Sequence, residues 1–367
     1  MWSYANPVAI HWTDDLAALL PSLLPQGQGL LIAYPQFREP GAAGLLSGQL
    51  NGVPLFNGIE NNPTPGQVQQ AIDFALPIGP QWILAIGGGS VLDTAKLVRL
   101  ALARDCRRID ELLEMAPREP SAPGPRLLAI PTTHGTGAEM TMWTTVWDKG
   151  NGRKLSLSHP GNYPDIAVYS PPMTYSLPLP VSFATTLDAL AHALEALWNR
   201  NANPVSDELA SAAVRLVAEN LERLADPVPH EVRANLLRAS MLAGLAFSNT
   251  KTAAAHSISY PLTLRLGIPH GIACAMTLAA LWRMNAPKMP DKAERLRLQL
   301  GGEDVARILE CRLRFVAARM PFTLSAYGAK PDDLATLVRE SFTKGRMDNN
   351  LVDLSPSDVR AILEASF

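Results

Sequence analysis

The chain has 367 residues, with 32 basic against 34 acidic side chains, a formal charge of -2, and 47% hydrophobic against 18% charged residues. That balance suits a folded protein large enough for two domains and, with no basic run, speaks against nucleic acid or an anionic membrane as its main partner. No apolar stretch nears a membrane span, the amino terminus lacks the pattern of a signal peptide, and Cys106, Cys274 and Cys311 are too few and scattered for a disulfide framework, so a reduced, cytoplasmic protein is expected.

Taken in order, the first half alternates short apolar runs with amphipathic segments. Residues 29–34, 82–86 and 126–130 read as strands, each stopped by proline or glycine. Segments 65–76 and 90–104 are long enough for crossover helices. The pattern is that of an α/β domain with a largely parallel sheet. Beyond Pro180 the chain reads as helical at 182–200, 204–224, 230–247, 271–285 and 303–318, with Pro204, Pro229 and Pro261 falling between helices. The expected organisation is a nucleotide-binding α/β domain over 1–180 and an all-α metal- and substrate-binding domain over 181–367.

Gly87-Gly88-Gly89-Ser90 follows a predicted strand and opens a predicted helix that carries Asp93. Glycines let backbone amides approach a diphosphate, and a helix start adds partial positive charge. A tight strand-to-helix turn would need the same glycines. A second polar loop, Thr132 to Glu139, follows the third strand, where open α/β sheets place their ligands. Together the two loops favour a nucleotide-sized ligand.

The helical half carries the more specific signal. Asp188 and His192 stand four apart, on one face of a helix among small apolar neighbours. His256 and His270 sit farther on in similarly apolar settings. Burying such groups is costly without a partner, and one carboxylate with three imidazoles suits Fe(II) or Zn(II). His11, His134, His159 and His230 read as ordinary hydrogen-bonded histidines.

With Gly87-Gly88-Gly89-Ser90, Asp93 and Lys96, Pro131-Thr132-Thr133, Gly135-Thr136, Glu139, Asp188-Ala189-Leu190 with His192, and Pro269-His270-Gly271, the chain resembles the iron-containing alcohol dehydrogenases over nearly its whole length. The resemblance implies the dehydroquinate synthase-like fold of that family: a Rossmann-like amino-terminal domain and an all-α carboxyl-terminal domain. It implies an oxidoreductase with a divalent metal, Fe(II) or another such as Zn(II), held by Asp188, His192, His256 and His270. It places Asn62, Gly88, Gly89, Ser90, Asp93, Thr132, Thr133, Thr136, Lys154 and Leu179 at the nicotinamide cofactor. A homodimer is also implied.

Departures from the family pattern bear on substrate and cofactor. Tyr260 stands where a second histidine is common, so the proton comes from Tyr260, His270 or a water. Lys251 and Arg265 flank the third and fourth ligands and favour an anionic substrate. The stretch 255–263, AHSISYPLT, is similar to that of the phosphonate-metabolism branch, which implies reduction of phosphonoacetaldehyde to 2-hydroxyethylphosphonate. Tyr34 replaces the aspartate that favours NADH, with Arg38 nearby, which leaves NADH and NADPH both open. The rival readings are a general short-chain alcohol or hydroxy-acid dehydrogenase, a lyase of the dehydroquinate synthase type, and a non-catalytic nucleotide-binding protein.

Overall fold

The computed structural model describes residues 1–38, 50–114 and 123–367. Two compact units form: residues 7–133 with 138–177, and residues 1–6, 134–137 and 178–367. The short segment 134–137 thus leaves the unit that surrounds it in sequence.

In the first unit the strands are β1 (Ala9–Trp12), β2 (Gly29–Ala33), β3 (Leu55–Phe56), β4 (Trp82–Gly87), β5 (Arg126–Pro131), β6 (Trp143–Asp148), β7 (Arg153–Ser158) and β8 (Ile166–Tyr169). Its α-helices are α1 (Leu16–Leu23), α2 (Pro65–Ala75), α3 (Gly89–Ala103) and α4 (Ile109–Leu113). Six strands make a parallel sheet in the order β1-β8-β5-β4-β2-β3, and β6 and β7 pair as an antiparallel hairpin.

The sheet is buried on both faces, as parallel sheets are. Leu30, Ile32, Ile83, Ala85, Leu127 and Ala129 pack with Val68, Ile72, Val91, Ala95 and Val98 of α2 and α3. The alternate residues Leu31, Leu84, Ile86, Leu128 and Ile130 pack with Leu16 and Leu20 of α1. This period-two division explains why β4 reads as an unbroken apolar run. Thr64 starts α2 through a capping box with Gln67, next to a proline in the first turn. The edge strands β1 and β3 and the hairpin escaped sequence reading because they are short or partly exposed.

The second unit contains α5 (Leu179–Leu197), α6 (Pro204–Asn220), α7 (His230–Thr250), α8 (Ala254–Leu266), α9 (His270–Ala275), α10 (Leu278–Asn285), α11 (Pro290–Gln299), α12 (Val305–Ala317), α13 (Leu334–Glu340) and α14 (Pro356–Glu364). Asn203 caps α6 ahead of Pro204, as expected for a proline at a helix start. Pro261 breaks the expectation. It lies inside α8, where a proline costs about 3 kcal/mol in isolation, and burial of the surrounding run from Ala254 to Leu262 outweighs that cost. The segment expected as one helix over 271–285 divides into α9 and α10. No described helix is long and apolar enough to cross a membrane.

Candidate functional site

The α/β unit places several expected nucleotide-binding residues at the carboxyl ends of its central strands. Gly88 is the N-cap of α3 and Ser90 stands in its first turn. A Cβ on Gly87 would collide with Val91, and one on Gly88 would crowd Thr133, so the turn accepts only glycine at its tightest point. The Thr132 amide donates to the Gly87 carbonyl at 3.0 Å, joining the loops after β4 and β5. Asn62 has a left-handed φ of 61°, and its amide donates to Ser90 Oγ at 3.2 Å. Tyr34, just beyond β2, donates its hydroxyl to Asn61 at 3.1 Å. The Arg38 side chain lies outside the described structure.

Asp93 and Lys154 of the expected set, and Lys96 of the same motif, also make contacts within the fold. Asp93 accepts the Thr145 amide at 2.9 Å and Lys96 Nζ at 3.4 Å. Lys96 is fully buried and also donates to Thr141 Oγ1 and the Trp143 carbonyl. Burial raises the Asp93 carboxyl and lowers the Lys96 ammonium, while each offsets the other's shift. These contacts fasten α3 to β6. Lys154 sits over the Trp147 ring at 5.0 Å.

In the helical unit, α5 carries Asp188, His192 and Glu195, and α8 begins two residues before His256. His270 opens α9, and Gly271 explains how it gets there. A Cβ at 271 would strike the Ala184 carbonyl, so the glycine lets α9 lie against the backbone of α5. Asp188 Oδ1 then lies 3.5 Å from His256 Nε2, 3.9 Å from His270 Nε2 and 4.0 Å from His192 Nδ1. Ligand atoms of Asp188, His256, His270 and Cys274 all fall within 4.8 Å of one another. His192 stands just outside that group. Its ring stacks on Phe247 at 4.0 Å and on His256 at 4.4 Å, and its Nδ1 faces the Gly135 carbonyl at 3.3 Å.

Electrostatics single out the same place. Among the described residues, Asp188 Oδ1 and His256 Nε2 are buried without a well-formed hydrogen bond, although they lie only 3.5 Å apart. Two such orphans facing each other are costly unless a further group satisfies both. Burial opposes ionisation of Asp188, yet His192, His256 and His270 hold its carboxyl below the ordinary range. Burial lowers His192 to about 4. Burial also works against charge on His256, but Cys274, Glu195 and Asp188 around it push its pKa well above that of free imidazole. A carboxylate, imidazoles and a thiol are donors that Fe(II) and Zn(II) accept, so the residues present fit a divalent cation.

Two family models match the chain: iron-containing alcohol dehydrogenase over residues 12–171, and the carboxyl-terminal domain of the Fe-containing alcohol dehydrogenase family over 182–367. The chain belongs to the iron-containing alcohol dehydrogenase family. It is 35% identical to a phosphonoacetaldehyde reductase of Streptomyces viridochromogenes, over 73% of this chain and 71% of that one. A long-chain-alcohol dehydrogenase of Geobacillus thermodenitrificans is 32% identical over 86% and 82% of the two chains. Among solved structures, a sulfoacetaldehyde reductase from Bifidobacterium kashiwanohense in complex with NAD+ has a TM-score of 0.91 at 26% identity, covering 100% of this chain and 98% of that one. The family is one of oxidoreductases, and the two-domain fold expected from the resemblance is the family's own.

Within this alcohol dehydrogenase-family chain, the remaining expected residues fall out unevenly. Tyr260 is buried in α8, its ring nearly parallel to that of His270 with centroids 6.2 Å apart. Its hydroxyl accepts from Arg346 Nε at 3.3 Å. Arg265, expected at the substrate, lies on the exposed end of α8, and its Nε donates to Glu340 Oε2 at 2.6 Å. The two charges pair there. Lys251 ends α7 with a left-handed φ of 69° and an exposed side chain. Leu179 opens α5, and Thr136 lies in the segment 134–137 that belongs to the helical unit.

Sequence reading missed three neighbours of this centre. Glu195 is fully buried, accepts His256 Nδ1 at 2.6 Å through one oxygen and receives the His256 amide at 3.0 Å through the other. That contact turns Nε2 of His256 toward Asp188. Its signal was spacing: Asp188, His192 and Glu195 repeat on one helical face. Cys274 follows His270 by four, the same one-turn spacing, but an apolar neighbourhood made it look like core. Arg346 had no local signal.

Proposed function

We propose that this protein reduces a small anionic aldehyde to its primary alcohol with NADH or NADPH, phosphonoacetaldehyde to 2-hydroxyethylphosphonate being the favoured pair. The single observation that carries the reading is the pair of buried, unpartnered atoms on Asp188 and His256, gathered with His270 and Cys274 in a protein of this family. When bound, a divalent cation supplies Lewis acidity toward a carbonyl oxygen and the nicotinamide supplies the hydride. Asp188, His192, His256 and His270 would hold the cation, with Cys274 within reach. Glu195 fixes the His256 tautomer. Tyr260 and His270, stacked side by side, are the groups placed to hold the proton that completes the alcohol. Asn62, Gly88, Gly89, Ser90, Asp93, Thr132, Thr133, Thr136, Lys154 and Leu179 would line the nicotinamide cofactor's path, and Asp93 also fastens α3 to β6. The domain division at residue 180, a homodimer and a cytoplasmic setting belong to the same reading.

The phosphonoacetaldehyde and sulfoacetaldehyde reductases among the relatives support the anionic substrate class. A general alcohol dehydrogenase is the second reading, favoured by the Geobacillus relative and by the engagement of Arg265 with Glu340. One experiment separates them. Protein reconstituted anaerobically with Fe(II), Zn(II) or Co(II) is given NADH or NADPH with phosphonoacetaldehyde, sulfoacetaldehyde or propanal. Faster oxidation of the reduced cofactor with the charged aldehydes is expected. Equal rates on all three would leave the general enzyme, and no oxidation with any aldehyde under any metal would remove the redox reading altogether.

A further inference from the structure

Most arginines in the helical unit are paired with carboxylates: Arg265 with Glu340, Arg283 with Glu310, Arg295 with Glu208 and Arg312 with Glu222. Arg346 is different. It is half-buried, and no carboxylate of the described residues lies within ion-pair distance of it. Its Nε donates to the Tyr260 hydroxyl at 3.3 Å and its Nη1 to the Gly345 carbonyl at 2.9 Å. Nη2 makes no hydrogen bond among the described residues. A guanidinium in such a place has an open side of its donor fork.

The loop that carries Arg346 is fastened onto α8 and the residues just before it. Asn349 Nδ2 donates to the Thr252 carbonyl at 2.8 Å and to the Gly345 carbonyl at 2.9 Å. The Thr343 amide donates to Ser257 Oγ at 3.0 Å, one residue beyond His256. Gly345, at a φ of 76°, makes the turn that a side chain would strain, and its amide donates to Asp348 Oδ2 at 3.0 Å. Arg346 is therefore held against Tyr260, whose ring stacks on His270, which in turn faces Asp188. A fixed cation one aromatic ring away from the candidate metal ligands is suited to a short substrate with a carbonyl at one end and an anion at the other.

We propose that Arg346 is the specificity-determining residue that binds the anionic end of the substrate, a phosphonate or sulfonate, in the role that the sequence had pointed to Arg265. The proposal rests on the aldehyde reductase reading. Guanidinium and a tetrahedral oxyanion match in charge and in forked geometry, and a fastened loop reduces the ordering cost of binding.

The test compares wild type, Arg346→Met and Arg346→Lys on phosphonoacetaldehyde, sulfoacetaldehyde and propanal. Arg346→Met should lower kcat/KM for the charged aldehydes by roughly 10- to 100-fold more than for propanal, the excess lying mostly in KM. Arg346→Lys should recover part of that loss, since it restores charge without the fork. A loss confined to one acid supports the proposal and names the acid. Equal losses on all three substrates overturn it, because that is what displacement of Tyr260 alone would do. Methylphosphonate added to wild type reducing propanal gives a reading that needs no variant: competition with the aldehyde is expected, and none at millimolar concentration overturns the proposal. Should wild type reduce propanal as well as the charged aldehydes, the anionic-substrate reading falls while the redox reading stands.

Discussion

Two buried charged clusters, one in each unit, are treated in opposite ways. In the α/β unit, Lys96 is fully buried but its ammonium is answered: it donates to Asp93, Thr141 Oγ1 and the Trp143 carbonyl, and nearby Glu139 takes the Tyr169 hydroxyl at 2.7 Å. In the helical unit, Asp188 and His256 face each other with an atom apiece unanswered among the described residues. A satisfied buried network fixes a fold, whereas an unsatisfied one in an otherwise well-packed core marks a place completed by something else. The difference separates residues that share one family motif by the job each does.

The sharpest way to break that contrast is Lys96→Met. Removing the ammonium leaves Asp93 and Glu139 buried without their cation, a change expected to cost about 3 kcal/mol of stability, seen as a lowered denaturant midpoint. If the midpoint is unchanged while cofactor affinity drops steeply, Lys96 belongs to the ligand site and the contrast fails.

Glu195→Gln tests the other unit. The substitution keeps the shape of the side chain but removes the charge opposite His256 Nδ1. The expected loss is 10- to 100-fold in metal affinity, typical of a carboxylate behind a ligating histidine, with secondary structure unchanged. Chelator competition with Co(II) or Zn(II) measures it. Unaltered affinity would reduce Glu195 to a packing residue and weaken the assignment of His256.

How much of this was legible beforehand depended on range. Strands β2, β4 and β5, buried on both faces, announced themselves as apolar runs, and the Asp188–His192 spacing was a local signal on one helix. Segments α1, α4, α8, α11, α13 and α14 were not foreseen, and α8 runs through Pro261, where tertiary burial overrides a local breaker. The charged groups met a related limit. Lys251 and Arg265 stood near the ligands in sequence, but Glu340, 75 residues beyond Arg265, captures the latter, and Arg346 reaches Tyr260 across 86 residues. No spacing rule carries such pairings.

The smallest effect concerns His134, whose four-residue segment joins the helical unit. Its ring is fully buried, with Nδ1 3.1 Å from Thr186 Oγ1 and Nε2 3.4 Å from Arg233 Nη1. Burial and the neighbouring Arg233 lower its pKa from 6.5 to about 3. The folded state therefore keeps the ring neutral where the unfolded chain takes up a proton, so stability is intact above about pH 6.5 and falls as the pH drops toward 3. The slope approaches 1.4 kcal/mol per pH unit, which puts the loss from this group near 1.4 kcal/mol at pH 5.5. His134→Gln cannot titrate, so urea midpoints compared at pH 7.5 and 5.5 should change less in the variant than in wild type. Acidification that weakens both proteins equally would mean that Arg233 and the threonines, and not the neutral ring, hold this segment in the helical unit.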